Sequence, residues 1–277
     1  MANHFRTFML MTVLTVLFVW VGGLMGGRQG AMIAFVAAAG MNLMAYWFSD
    51  KMVLKQYRAR QIEPEDEPRL YNIVSRLARQ ADLPMPKIYV VPSQTPNAFA
   101  TGRNPKHAAV AATDGILKLL DDDELAGVMA HELAHVKHRD ILTGTIAATF
   151  AGAIAMLGQI ARYSGGNRNR GNPLLLILVL VGAPLAAMMI RMMISRVREY
   201  AADAGGARIS GRPRSLAAAL KKLVAGHQRA PMTAGNPAHA HMFIINPFAG
   251  GLQRLFASHP PMDERIRRLE AMADGTA

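Results

Sequence analysis

The chain has 277 residues, of which 51% are hydrophobic and only 18% charged, a balance that excludes intrinsic disorder and indicates membrane segments rather than an ordinary soluble domain. It contains no cysteine, which excludes disulfides and thiolate ligands, so that any metal must be bound by His, Asp or Glu. Its formal charge of +12 is typical of protein faces beside anionic lipid headgroups, and we do not expect nucleic-acid binding.

Two uncharged windows, residues 7–27 and 29–49, open the chain. Each is long enough to cross a roughly 30 Å hydrocarbon core as a helix. We therefore interpret residues 1–49 as an N-terminal transmembrane hairpin that is retained as an anchor. Only Arg28 stands at its tip, whereas several basic residues follow it, and this asymmetry predicts that the soluble parts face the cytoplasm: Lys51, Lys55, Arg58 and Arg60.

The segment 50–140 has the pattern of a soluble α+β domain. A helix is predicted after Pro68 and is ended by Pro84 and Pro86. Its apolar residues recur at helical spacing: Leu70, Ile73, Val74 and Leu77. Short strands are predicted at Lys87–Val91 and His107–Ala112, with a possible third at Asn97–Thr101.

A further helix is predicted to carry the chemistry. Asp121 and Glu124 form a capping pair for a helix that runs through His138. It contains His131-Glu132-Leu133-Ala134-His135, the H-E-x-x-H pattern, whose two imidazoles lie on one helical face and can chelate one metal ion. Glu132 is placed to act on the attacking water. The alternative is a structural helix whose histidines hydrogen-bond to each other or to the backbone.

A catalytic zinc site needs a third protein ligand. The extended H-E-x-x-H-x-x-G-x-x-H pattern is absent, because His138 and Ile141 stand where it requires glycine and histidine. Glu199 is the better candidate, with Asp203 four residues later on the same helical face. One carboxylate can bind the metal while the other accepts the free ring N–H of a ligating histidine. The alternative is an ordinary solvated helix face.

Residues 141–190 are predicted to form a second hydrophobic hairpin, which splits the soluble domain into 50–140 and 191–277. Three arginines in its tip oppose the positive-inside rule, so the hairpin either spans the membrane fully or is re-entrant or packed on protein: Arg162, Arg168 and Arg170. If the helix of the H-E-x-x-H motif ran on unbroken, the metal would lie roughly 9 Å beyond the hydrophobic segment.

Taken together, these motifs are those of a known family. H-E-x-x-H runs into an apolar segment, E-Y-x-A-D follows a second one, Asn97–Gly102 lies upstream, and His259-Pro260-Pro261 with Arg265 stands near the end. The sequence resembles the HtpX family of membrane-bound zinc metalloproteases, which is related to the endoproteases that process prenylated proteins. The resemblance covers nearly the whole chain. It implies a helix-rich α+β, gluzincin-like protease domain that is split by a membrane hairpin.

The resemblance also implies a site and a function. One zinc ion per chain is expected to be bound by His131, His135 and Glu199, with Glu132 as the catalytic base. The implied activity is the cleavage of misfolded or damaged membrane proteins in quality control and stress response. The implied location is the bacterial inner membrane, with several membrane passes and a cytoplasmic catalytic domain. Neither the residues nor the resemblance specifies an oligomeric state.

Other roles stay open at the level of residues. The tetrahedral oxyanion needs a second donor, for which His259, Arg265 and Tyr200 are candidates. The segment Asn97, Ala98, Phe99, Ala100 and Thr101 lacks charge and can present an exposed strand edge to an extended substrate; the alternative is an internal strand. Two rival functions also remain: a membrane scaffold with a structural metal or none, and a zinc enzyme that cuts lipid-modified proteins at one fixed point.

Overall fold

The structure, a computed structural model, describes residues 2–142, 196–229 and 260–276. All but the first two residues of the predicted second hairpin lie outside the described residues. His259 lies outside them as well.

Helix α1, Ala2–Gln56, opens the chain and is broken at Gly26 and Gly27, where the backbone leaves the helical conformation. Its two arms lie side by side, since the Asn42 amide donates a hydrogen bond of 2.8 Å to the Thr15 hydroxyl. Across the described ranges, one helix, Gly26–Phe48, is long and apolar enough to cross a membrane, judged by length and composition. The spanning hairpin over residues 1–49 stays a prediction.

Within the described residues, a four-stranded sheet with strand order β1-β2-β4-β3 follows. β2 and β4 are parallel, whereas β1 pairs with β2 and β3 pairs with β4 in antiparallel fashion. The sheet therefore has β3 at one edge. The three predicted strands are confirmed to within one residue at each end, and the short β1 was not predicted. The bounds are β1 Arg60–Gln61, β2 Lys87–Val91, β3 Ala98–Gly102 and β4 Ala108–Thr113.

Six further α-helices are described, with a 3₁₀ turn at Pro105–His107: α2 Pro68–Gln80, α3 Asp114–Leu119, α4 Asp122–His138, α5 Arg196–Ser210, α6 Pro213–Arg229 and α7 Met262–Ala273. The helix predicted after Pro68 is confirmed, and its four apolar residues are buried. It ends at Gln80, before the prolines, because the chain turns at Asp82 with a φ of 54°. The helix-rich α+β class that the sequence predicts is therefore observed.

The H-E-x-x-H helix α4 begins and ends for separate local reasons. Asp121 accepts hydrogen bonds from the first-turn amides while Glu124 bonds back to the Asp121 N–H, so the predicted capping pair is confirmed. The helix stops at His138, because Arg139 adopts a left-handed conformation with φ 59° and ψ 36°. The predicted helix through His138 is thus confirmed, whereas the unbroken continuation that the 9 Å distance assumes is not observed, since the chain turns at Arg139.

Apolar residues fill both faces of the sheet and thereby fix β3. On one face, the main core joins α2, α4 and α6 to the sheet through Leu77, Val110 and Leu133. On the other face, Val53 and Leu54 at the end of α1 pack with Phe99 and Val91. The edge strand β3 is consequently held between the end of α1 and the helix that carries the two histidines.

Candidate metal centre

The two histidines of α4 face one point in the interior. His131 is 3% exposed, and the neighbouring Glu132 is 6% exposed. The Nε2 atoms of His131 and His135 lie 3.2 Å apart, with the rings perpendicular to each other. Because residues four apart stack on one helical face, this convergence follows directly from the spacing in the motif.

The third candidate ligand comes from α5. Glu199 Oε2 lies 3.8 Å from His131 Nε2, and Glu199 Oε1 lies 3.7 Å from His135 Nε2. One ligand atom from each of these residues can be chosen so that all three lie within 4.8 Å of one another. Ligand atoms bound at roughly 2.0–2.1 Å to one tetrahedral ion stand about 3.3 Å apart. The donor set and its spacing therefore fit a divalent ion.

Two glycines let α5 approach α4 closely enough for this convergence. A Cβ on Gly206 would lie 2.7 Å from the His131 main-chain nitrogen, and one on Gly205 would lie 2.9 Å from the Ala134 Cβ. Adjacent glycines inside a helix are otherwise unfavourable, because they lose more conformational freedom on folding than alanine does. The pair was missed in the sequence, although Gly205-Gly206 soon after the E-Y-x-A-D motif is a visible signal of close packing.

Asp203 lies behind His131, one turn after Glu199. Asp203 Oδ1 is 3.0 Å from His131 Nδ1, which is ion-pair distance, although the contact does not have hydrogen-bond geometry. The guanidinium of Arg265, from α7, binds both oxygens of Asp203 at 2.7 and 2.8 Å and is completely buried. Burial alone would raise the pKa of Asp203, but the charge and hydrogen bonds of Arg265 outweigh it and lower that pKa to about 2. Asp203 is thus held as a carboxylate facing the far side of the His131 ring.

A second carboxylate, which the sequence analysis did not identify, lies behind His135. Asp140 Oδ2 is 3.4 Å from His135 Nδ1, and the Asp140 main-chain N–H donates to the His135 carbonyl at 3.0 Å. Burial lowers the pKa of His135, but the hydrogen bond that its ring N–H donates to the Asp140 carboxylate and the charges of Glu199 and Glu132 raise it to about 9. The only sequence signal for Asp140 is an acid two residues past a helix end.

Glu132 lies beside the ligands and against the edge strand. Burial raises the pKa of its carboxyl group, an effect that the charges of His131 and His135 partly offset. The main-chain N–H of Ala100 in β3 also hydrogen-bonds to this carboxylate. The predicted base therefore lies between the ring nitrogens of the candidate ligands and the main chain of β3.

The pairing of β3 determines which of its main-chain groups face Glu132. Thr113 N–H donates to the Asn97 carbonyl at 2.9 Å, so the strand bonds to β4 at Asn97 and every second residue after it. Ala98, Ala100 and Gly102 consequently direct their N–H and C=O groups away from β4. Asn97, Ala98, Phe99, Thr101 and Gly102 are buried, Ala98 completely so, whereas Ala100 is half-buried. Ala100 is therefore the accessible point of this predicted substrate strand.

Tyr200 and Arg265, the candidate oxyanion donors within the described residues, each contact another charged side chain. The Tyr200 ring is half-buried and is covered by the guanidinium of Arg268 at 3.9 Å from the ring centroid. Arg265 Nη1 lies 3.8 Å from Glu199 Oε2, although its main partner is Asp203. His138, at the end of α4, is exposed.

Two histidines one turn apart, a carboxylate from a second helix and a glutamate beside the first histidine define the class, that of the metallopeptidases. Comparison with known proteins extends this assignment. Residues 64–273 match peptidase family M48. The chain is 57% identical over 278 residues to a protease HtpX homolog of Syntrophotalea carbinolica, with 98% of this chain and 99% of that protein covered. It is 53% identical to the protease HtpX homolog of Ralstonia pickettii, with 99% of this chain and 98% of that protein covered.

The chain belongs to peptidase family M48 and is a metalloprotease. Its fold is also similar to the crystal structure of S. mikatae Ste24p, with a TM-score of 0.55 at 19% identity. That likeness covers 94% of this chain but 62% of Ste24p, so the chain spans less than two thirds of the length of this structural relative.

Proposed function

We propose that the protein is a membrane-bound zinc endopeptidase that cleaves misfolded or damaged membrane proteins on the cytoplasmic side of the bacterial inner membrane. The observation that carries the proposal is the convergence of His131, His135 and Glu199 on one point beside Glu132. Zinc is the expected ion, because two imidazoles and one carboxylate are a common catalytic ligand set for zinc. One ion per chain is expected.

When bound, an ion of this kind supplies Lewis-acid chemistry, polarising the peptide carbonyl and making water more acidic. Glu132 then serves as general base and general acid. Its carboxylate accepts a proton from the attacking water and delivers that proton to the nitrogen of the leaving amine. In the metal-free protein, burial raises the pKa of the Glu132 carboxyl group, which is the direction that favours proton uptake from water.

Asp203 and Arg265 position His131 in this mechanism. The Asp203 carboxylate lies on Nδ1 of the ring, which leaves Nε2 to face Glu199 and the ion. Arg265 keeps Asp203 ionised through two buried hydrogen bonds. Since Arg265 is already paired in this way, Tyr200 and His259 are the better candidates for the donor that stabilises the oxyanion.

An extended substrate is proposed to pair with the edge of β3 at the half-buried Ala100, on the side that no other strand of the described residues covers. Main-chain groups of Ala98, Ala100 and Gly102 point to this edge, and that of Ala100 already meets Glu132. Backbone pairing is insensitive to side-chain identity, so it gives broad sequence tolerance. Broad tolerance suits an enzyme that removes damaged proteins rather than one that cuts at a single defined point.

The membrane location is supported by the exposed apolar side chains of α1 and by the basic residues at its end. The arm Gly26–Phe48 exposes large apolar side chains, including Met32, Ile33 and Val36. Exposed basic residues follow its end at Lys51 and Lys55, as expected on the cytoplasmic side. We propose that this arm is one of several membrane passes.

The substrate class is tested with the full chain purified in detergent and returned to lipid nanodiscs with zinc. A destabilised membrane protein, its folded form and a prenylated peptide are each incubated with the enzyme, with Glu132→Gln as the inactive control. The proposal expects the destabilised protein to be cut at several positions and the folded form to be spared. Cleavage of the prenylated peptide alone, at one bond, would favour the fixed-point enzyme instead.

A further inference from the structure

We propose that Asp140 is a positioning residue for His135 and that it ties the metal centre to the start of the hydrophobic segment. The inference rests on the proposed function, because it assumes that His135 binds the ion. It concerns a residue of the turn after α4, outside the H-E-x-x-H and E-Y-x-A-D motifs. The structure brings this residue to the metal centre through a change of chain direction.

Asp140 contacts His135 through both its side chain and its main chain. The Asp140 carboxylate lies 3.4 Å from Nδ1 of His135, and its main-chain N–H binds the carbonyl of the same residue at 3.0 Å. Asp140 is buried, with 9% of its surface exposed. A carboxylate on Nδ1 fixes the tautomer and the orientation of the ring, so that Nε2 is the nitrogen left for the metal.

The turn at Arg139 makes this contact possible. In an uninterrupted helix, residue 140 would lie five positions after His135 and point away from its ring. The left-handed conformation of Arg139 ends α4 and reverses the chain, which brings Asp140 back over the last turn. Such a conformation is uncommon for a residue other than glycine, so the surroundings must hold it in place.

The residue after Asp140 anchors the turn on its other side. Ile141 is 6% exposed and packs with Val136 of α4 and Ala108 of β4. Ile141 is also the first residue of the uncharged segment 141–161. A displacement of Ile141 would therefore be transmitted to Asp140 and from there to the His135 ring.

The two histidines are supported by separate parts of the chain. Asp203, which lies on His131, belongs to α5, whereas Asp140, which lies on His135, belongs to the entry to the hydrophobic segment. Each ligand ring is thus backed by one carboxylate. The loss of either is expected to loosen one ligand without removing it.

The test uses the full chain in detergent micelles and measures zinc affinity by competition with a chromophoric chelator. Asp140→Ala should weaken zinc binding about 10- to 100-fold, and Asp140→Asn by less, because its amide oxygen still accepts the ring N–H. The absorption spectrum of the cobalt-substituted protein should shift in Asp140→Ala and return toward that of the wild type in Asp140→Glu. Asp82→Asn, an exposed aspartate in another turn with positive φ, is the matched control and should change neither property.

The turn is tested without altering the carboxylate. Arg139→Gly, which favours the left-handed conformation, should keep zinc affinity, whereas Arg139→Val, which disfavours it, should lower the affinity several-fold. Wild-type zinc affinity and an unchanged cobalt spectrum in Asp140→Ala would overturn the inference while leaving the proposed function intact. A wild-type chain that binds no zinc would overturn both.

Discussion

At the scale of single residues, Glu132 owes its proposed role to its position between the ligands and β3. Glu132→Gln preserves shape but cannot accept a proton, so cleavage should fall by about 10²- to 10⁴-fold while zinc content is unchanged. The measurement is peptide cleavage beside metal analysis of the same preparation. Glu65→Gln, at an exposed carboxylate, should cleave as the wild type does. Retained cleavage in Glu132→Gln would mean that another group is the base.

His135 gives a prediction for the pH dependence of metal binding. Its pKa of about 9 lies above the ordinary value, so in the metal-free protein the ring is protonated at pH 7. A ligating ring must be neutral, and zinc binding should therefore release one proton and strengthen about tenfold per pH unit below pH 9. Calorimetry in buffers of different ionisation enthalpy measures this proton. Zinc binding without proton release at pH 7 would contradict the assignment of His135 as a ligand that must lose a proton to bind the ion.

The raised pKa of His135 also affects the stability of the metal-free protein. Protonated His135 is stabilised in the folded state by Asp140, Glu199 and Glu132. That contribution is fully present below the unfolded pKa of about 6.5 and is lost as the pH rises through about 9. On this account, zinc affinity rises with pH over the same range in which the stabilisation by protonated His135 is lost.

At the scale of elements, the contact between α4 and α5 sets the site. Gly206→Ala would place a methyl group 2.7 Å from the His131 nitrogen, which is main chain and cannot rotate away. The substitution should destabilise the fold by about 1–3 kcal/mol and weaken zinc binding, since it pushes Glu199 away from the histidines. Denaturant unfolding and chelator competition measure the two effects.

Gly226→Ala in α6 is the matched control for that experiment. Its added methyl group would meet mainly the ends of the Leu119 side chain, at 3.0 Å, which can adjust. The variant should be as stable as the wild type or slightly more so, because alanine favours helix. If Gly206→Ala behaves like Gly226→Ala, the close approach of α5 to α4 does not control the site.

Sequence patterns predicted those parts of the fold that depend on local interactions. The capping box at Asp121, the helix after Pro68 and the strand Lys87–Val91 are each encoded within a few residues. Tertiary features were not predictable in this way. The turn at Arg139 has no glycine to mark it, and Asp140 reaches His135 only after that turn has formed.

The candidate site shows the same division. The convergence of His131 and His135 follows from helical periodicity, whereas spacing left the choice between Glu199 and Asp203 open. The structure gives these two carboxylates different neighbours, since Glu199 faces both Nε2 atoms and Asp203 faces a ring from behind. Such a distinction depends on how α5 crosses α4.

At the scale of the whole molecule, the account predicts different roles for the two apolar regions. Replacement of residues 143–190 by a soluble linker should weaken zinc binding and abolish cleavage of membrane substrates, because that region joins the two halves of the site. Deletion of residues 2–49 should affect zinc binding less, since it keeps the contact of Val53 and Leu54 with Phe99. For each of the two variants, chelator competition measures zinc affinity and incubation with a membrane protein measures cleavage. Normal cleavage by the linker variant would show that membrane proximity is incidental.

Whether the protein is a zinc enzyme is tested by the metal content of the full chain, purified in detergent without added metal, measured together with its proteolytic activity. We expect one zinc ion per chain, loss of activity when a chelator removes it, and recovery when one equivalent of zinc is returned. We also expect Glu199→Ala to lose both zinc and activity. A wild-type protein that cleaves peptides without zinc, or a Glu199→Ala variant that keeps zinc and full activity, would contradict this expectation.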